Sequence, residues 1–139
     1  MPRQEAMKQL VEGIGADLAD YARMLELIER QFVAAIRHQH TELGEVAEAI
    51  GALVPVLDAR RVLRVELATR LTGAQPSMAQ VFTLLRPEAR ARLEADWQKL
   101  EVLVRTAKEL GKRNSELLAE QYTIMQRVLH GDDQTYEPA

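Results

Sequence analysis

The chain has 139 residues, with 18 Lys and Arg against 21 Asp and Glu and no cysteine. One domain is the expectation at this length. The net charge of −3 argues against a nucleic-acid partner, which normally selects a basic face. The absence of cysteine excludes disulfides and thiolate metal sites. No apolar run reaches the roughly 18 residues of a membrane span, and Met1-Pro2-Arg3-Gln4-Glu5 lacks the basic-then-apolar order of a signal peptide. Aromatic residues are 4% of the chain while Ala, Leu, Glu and Arg are plentiful, a mixture that favours helices over sheets.

The first helix is predicted from about Arg3 to Gln39, because Met7, Val11, Ile14, Leu18, Tyr21, Leu25, Ile28, Phe32 and Ala35 alternate by four and three. Gly13 and Gly15 fall inside it and each costs about 1 kcal/mol relative to Ala, so its first third is expected to be softer. The register slips at His38-Gln39-His40-Thr41. This predicts a turn near 39–42 with Thr41 as N-cap, the alternative being one continuous helix with a slipped stripe. A second helix is predicted from about Glu42 to Leu71, through Leu43, Ala47, Ile50, Val54 and Leu57 and then Val62, Leu63, Val65, Leu67 and Leu71. Pro55 predicts a kink, since it removes a helix hydrogen bond and crowds the preceding turn. Gly44 and Gly51 thin the wall of its first half, and Gly73 suits a left-handed cap. After a loop containing Pro76, Ser77-Met78-Ala79-Gln80 has capping-box spacing. It predicts a short helix to Leu85, whose Met78, Val81, Phe82 and Leu85 form a lid over one end of the bundle. Pro87 then suits a first helical position and Glu88 the positive end of the helix dipole.

The last helix is the most strongly patterned. Leu93, Trp97, Leu100, Val104, Ala107, Gly111, Asn114, Leu118, Gln121, Met125 and Val128 form a seam in steps of four and three. Leu103, Leu110, Leu117 and Ile124 run beside it at a spacing of seven. So wide a face wants two neighbours, or one neighbour and a guest. Its second half carries Gly111, Asn114 and Gln121, of which the two amides cost free energy if buried without partners. The helix is expected to last to about His130, with Gly131 as terminator and 132–139 as a mobile tail carrying Tyr136. About 44 helical residues span roughly 65 Å, against a radius of gyration of about 14 Å for a compact chain of this length. The expected fold is therefore all-α: an elongated antiparallel three-helix bundle, up, down, up, over 1–131, with a short extra helix before the last long one. The end that combines Gly44, Ala47, Gly51 and Pro55 with the polar seam residues is expected to be the less tightly packed.

No arrangement of residues points to an enzyme, a metal or a cofactor. None of His38, His40 and His130 has an acidic residue three places before it, as a di-metal bundle requires. His38 and Glu42 lie a turn apart but straddle the predicted break. There is no phosphate-binding glycine loop and no nucleophile motif. Arg60, Arg61 and Arg64, and Arg86, Arg90 and Arg92, read as solvated faces. The wide face of the last helix reads either as ordinary core or as core plus a guest, and the seam amides either as a tolerated polar layer or as binding groups.

Trp97-Gln98-Lys99-Leu100, then Ala107 through Gln121 (AKELGKRNSELLAEQ), then Thr135-Tyr136, resemble the FlgN family of flagellar type III export chaperones. The resemblance runs from about Leu85 to Tyr136 and is weaker over Leu25 to Arg64, where a basic pair such as Arg60-Arg61 also fits. The chain departs from the family pattern at Gly111, where asparagine is frequent, at Ser115, where glycine is usual, and after Tyr136, where Glu137-Pro138 replaces a glycine. The resemblance implies a cytoplasmic, non-enzymatic chaperone. It would bind the C-terminal segments of the hook–filament junction (hook-associated) proteins, prevent their premature assembly and deliver them to the cytoplasmic domain of the export gate. It further implies a cargo surface of Leu110, Asn114, Leu117, Leu118, Gln121, Ile124, Met125 and Val128, and a gate contact at Tyr136. The rival reading is a helical adaptor that forms a homodimer through the same apolar face.

Overall fold

The computed structural model describes the backbone of residues 1–135 and the side chains of residues 1–130. It contains three long helices and one short one: α1 (Arg3–Ile36), α2 (His40–Thr72), α3 (Met78–Phe82) and α4 (Pro87–Thr135). No strand occurs among the described residues, and no helix is long and apolar enough to cross a membrane. The expected all-α bundle with a short helix before the last long one is the fold observed.

The break between α1 and α2 is a helix-ending motif built on His38. This residue takes φ of 53°, while the amide of Gln39 donates to the Ala34 carbonyl at 2.9 Å and that of His38 to Ala35 at 3.3 Å. These are the paired bonds that satisfy the last carbonyls of a helix through one left-handed residue, so His38 is a turn-former. α2 then starts at His40 with Gln39 at its cap position and no side-chain cap, rather than being capped by Thr41. At the other end of α2, Gly73 has φ of 95° and ψ of −169°, a region essentially restricted to glycine. The capping box forms as its spacing predicts: Gln80 N–H donates to Ser77 Oγ and Ser77 N–H to Gln80 Oε1, each at 3.2 Å. α4 starts at Pro87, but Gly131 does not stop it, and the helix continues to Thr135. At 49 residues it is about 73 Å long.

The hub of the bundle is α1 rather than α4. Both α2 and α4 pack along it, while among the described residues no Cα of α2 comes within 8 Å of one in α4. With a partner on each side, the buried arc of α1 is broader than the expected stripe and rotated from it. Ala6, Leu10, Asp17, Met24, Leu27 and Ala34 are buried alongside Ile14, Ile28 and Ala35, whereas Val11 is exposed. The main core lies at the α3 end, where Leu10 and Ile14, Leu67 and Leu71, Val81 and Phe82, and Leu93 and Leu100 cluster. A smaller cluster of Met24, Ile28, Leu57 and Ala107 continues toward the other end. The core thins in the direction that the glycines and seam amides predict.

Candidate functional site

α4 runs parallel to α1 in a register fixed by the polar contacts of three α4 side chains. Arg113 Nη2 donates to Glu29 Oε1 at 2.9 Å, with its guanidinium 3.7 Å from the Phe32 ring centroid. Asn114, 2% exposed, donates through Nδ2 to the Ile28 carbonyl at 2.7 Å and to Gln31 Oε1 at 2.9 Å. Gln121 Nε2 donates to the Ala35 carbonyl at 3.0 Å. A buried amide with both ends satisfied specifies register, because sliding the helix would strand it in apolar surroundings.

Leu93, Leu100, Ala107, Asn114 and Gln121 form the seven-residue column of α4 that meets α1 and its neighbours. The next member of this column is Val128, and α1 has already ended at Ile36. From Tyr122 onward α4 overhangs the bundle by about 20 Å. Over that length Tyr122, Ile124, Met125, Val128 and Leu129 are each more than half exposed. Ile36, at the end of α1, is also half exposed. Large exposed apolar side chains that continue a packing seam mark an interaction surface.

The expected cargo residues therefore divide. Ile124, Met125 and Val128 are 53%, 54% and 63% exposed and lie together on the overhang. Leu117 and Leu118 are half-buried just before it. Leu110 packs against the smaller core cluster, and Asn114 and Gln121 are bonded to α1. The two seam amides thus serve as internal register pins. Tyr136 lies outside the described residues.

One feature escaped the sequence reading. Asp17 is 1% exposed and sits between two arginines of α2: Arg60 Nη1 donates to Oδ1 at 2.7 Å and Arg64 Nη1 to Oδ2. Arg60 also reaches Asp20 at 2.9 Å, and the Arg64 guanidinium lies 5.3 Å from the Trp97 ring centroid, tying α2 to α4. Arg60 and Arg64 are not the solvated face that their clustering suggests. The Asp17 bond, the largest influence, raises the Arg60 pKa further, while burial and then the Asp17 carboxylate push the Tyr21 phenol above its ordinary range. The sequence signal was an aspartate three residues after apolar Ile14 and seven before Met24, one place from Leu18 of the expected stripe, with an Arg-x-x-x-Arg on the next helix.

The family model described as FlgN protein matches residues 1–131, including the first twenty, which carried no marked resemblance. No curated protein and no solved structure matches the chain. The match spans α1, α2 and α3 and α4 up to residue 131. The chain belongs to the FlgN family, a family of flagellar export chaperones.

Proposed function

We propose that the protein is a cytoplasmic export chaperone that binds the C-terminal segments of hook–filament junction proteins through the overhang of α4. By covering those segments it prevents their premature assembly, and it then delivers them to the cytoplasmic domain of the export gate, with Tyr136 as the gate contact. The single observation that carries this reading is the continuation of the α4 seam past the end of α1 with its apolar side chains uncovered. An amphipathic segment that is disordered alone gains a complete interface by laying its apolar face there. Met125 adds a side chain that adapts to more than one partner. In this reading Leu117, Leu118, Ile124, Met125 and Val128 touch the cargo, and Leu110, Asn114 and Gln121, which pack against or bond α1 and its neighbours, support that surface from behind.

The test is calorimetric titration of the protein with junction-protein C-terminal peptides. Ile124→Asp abolishes binding while leaving helicity and thermal stability at wild-type levels, because Ile124 touches no core cluster. Leu117→Asp, at a half-buried position, also abolishes binding, with some loss of stability. Undiminished binding by both variants overturns the assignment. If the overhang instead closes on a second copy, the free protein has twice the monomer mass and Ile124→Asp halves it.

A further inference from the structure

α2 packs along α1, meets α3 near its C-terminal end, and reaches Trp97 of α4 through Arg64. The side chains that make these contacts, Leu57, Arg64 and Leu71 among them, recur every seven residues and so share one side of the helix. A helix with one buried side normally turns a polar side to water. The back of α2 is instead apolar over its middle. Val56, Val62 and Leu63 are 46%, 44% and 43% exposed, and Pro55 and Ala59 between them are exposed as well. Positions 48, 52, 55, 59, 62, 66 and 70 step by four and three, so α2 carries a second seam opposite the one that faces α1. Nothing among the described residues packs on it.

This second seam is laid out symmetrically about Ala59. On one edge Pro55 lies four residues before Ala59 and Val62 three after it; on the other edge Val56 lies three before and Leu63 four after. Near the centre line Glu48 and Arg70 lie eleven residues before and after. Two antiparallel copies of α2 related by a two-fold axis at Ala59 therefore set Pro55 against the partner's Val62 and Val56 against the partner's Leu63. At each end they set Glu48 against the partner's Arg70. Both of these charged side chains are exposed, and neither joins an ion pair among the described residues. Glu66, one turn before Arg70, falls opposite the partner's Ala52, a side chain short enough to leave that carboxylate in water. Parallel pairing sets like charges on each other at both ends and is disfavoured. A patch that complements itself under a two-fold rotation is what an isologous contact between identical chains requires.

We propose that two copies of the chain pair through the backs of their α2 helices, antiparallel about Ala59. The seam from 48 to 70 is about 33 Å long, a single helix pair with less surface than an obligate dimer buries, so the pairing is reversible and concentration-dependent. It does not rest on the cargo assignment. It uses no residue of the overhang, and it points the two overhangs in opposite directions with both left open.

The test is sedimentation equilibrium of the full chain from about 10 μM to about 1 mM, the range in which a contact of this size forms and dissociates. The average mass rises toward twice that of one chain across it. Ala59→Glu, an exposed exchange between two good helix formers, keeps the chain monomeric throughout at unchanged helicity. Glu48→Arg and Arg70→Glu each weaken association about tenfold, because each breaks two symmetry-related charge contacts at once. The double change restores association to within about twofold of wild type, the outcome that reciprocal contact between positions 48 and 70 demands. Ile124→Asp leaves association unchanged, which separates this pairing from closure of the overhang on a second copy. Ala59→Glu also binds cargo peptides as wild type does, so failure here and failure of the cargo assignment are separable. A mass of one chain at every concentration, wild-type association by Ala59→Glu, a charge exchange that restores nothing, or loss of association in Ile124→Asp overturns the proposal.

Discussion

Asp17 is, with Asn114, one of the two buried polar side chains among the described residues. Its carboxylate lies out of water, and both oxygens are taken by arginines from the facing helix. Such a group contributes little net stability compared with a well-packed apolar replacement, but removing its charge alone is expensive because the arginines lose their acceptor. Asp17→Asn is therefore expected to lower unfolding free energy by about 3 kcal/mol in denaturant titration. This is the low end for a buried pair, since Arg60 and Arg64 keep partial access to water. Replacing all three side chains by apolar residues of similar volume should recover most of that loss. A loss below about 0.5 kcal/mol for Asp17→Asn would place the network outside the fold's stability. The arginines were misread from sequence because clusters of like charge usually mark a solvated face. Only the helical spacing of Asp17 from Ile14 and Met24 on the opposing helix could have identified them as paired. Asn114 was legible as a seam position, but its partners, the Ile28 carbonyl and Gln31, belong to tertiary register and not to local pattern.

The boundaries of the individual helices were mostly written in local chemistry. The capping box at Ser77, the proline at the head of α4 and the glycine after α2 sit where their spacing places them, because each acts through its immediate neighbours. The end of α1 was legible only as a slip in register. Its physical device, a histidine in the left-handed region, has no strong sequence signature. The glycines of α2 and α4 are a separate matter. Gly44, Gly51 and Gly111 face open space, so no close contact requires them. Gly111→Ala is expected to stabilise the free protein by about 0.5–1 kcal/mol through helix propensity and reduced freedom of the unfolded chain. The change is read as a higher denaturant midpoint at unchanged slope. A destabilised Gly111→Ala would mean that this stretch is closed more tightly than the open seam implies.

At the level of the molecule, periodicity identified how wide each apolar face is but not which helix supplies its neighbour. The wide face of α4 suggested that it was the centre, yet α1 holds that place because it alone is flanked on both sides. The width of the α4 face is explained instead by what is missing: it has one long partner helix, a hollow along one edge and, among the described residues, no partner beyond Gln121. A bundle whose core is concentrated at the α3 end and whose last helix projects from the other has a stable body and a sparsely supported tip. In the proposed function, stability and recognition fall at opposite ends of one rod. Elements with few buried contacts open most easily, so backbone amides past Gln121 should exchange far faster than those beside α1.

Hydrogen exchange along α4, measured with and without a junction-protein C-terminal segment, tests the central claim most directly. The account predicts that amides of residues 122–130 are poorly protected in the free protein, and that they gain the largest protection when cargo is bound. It also predicts that the α3 end changes little. Strong protection of 122–130 in the free protein, or cargo-induced protection confined to other parts of the chain, would contradict it.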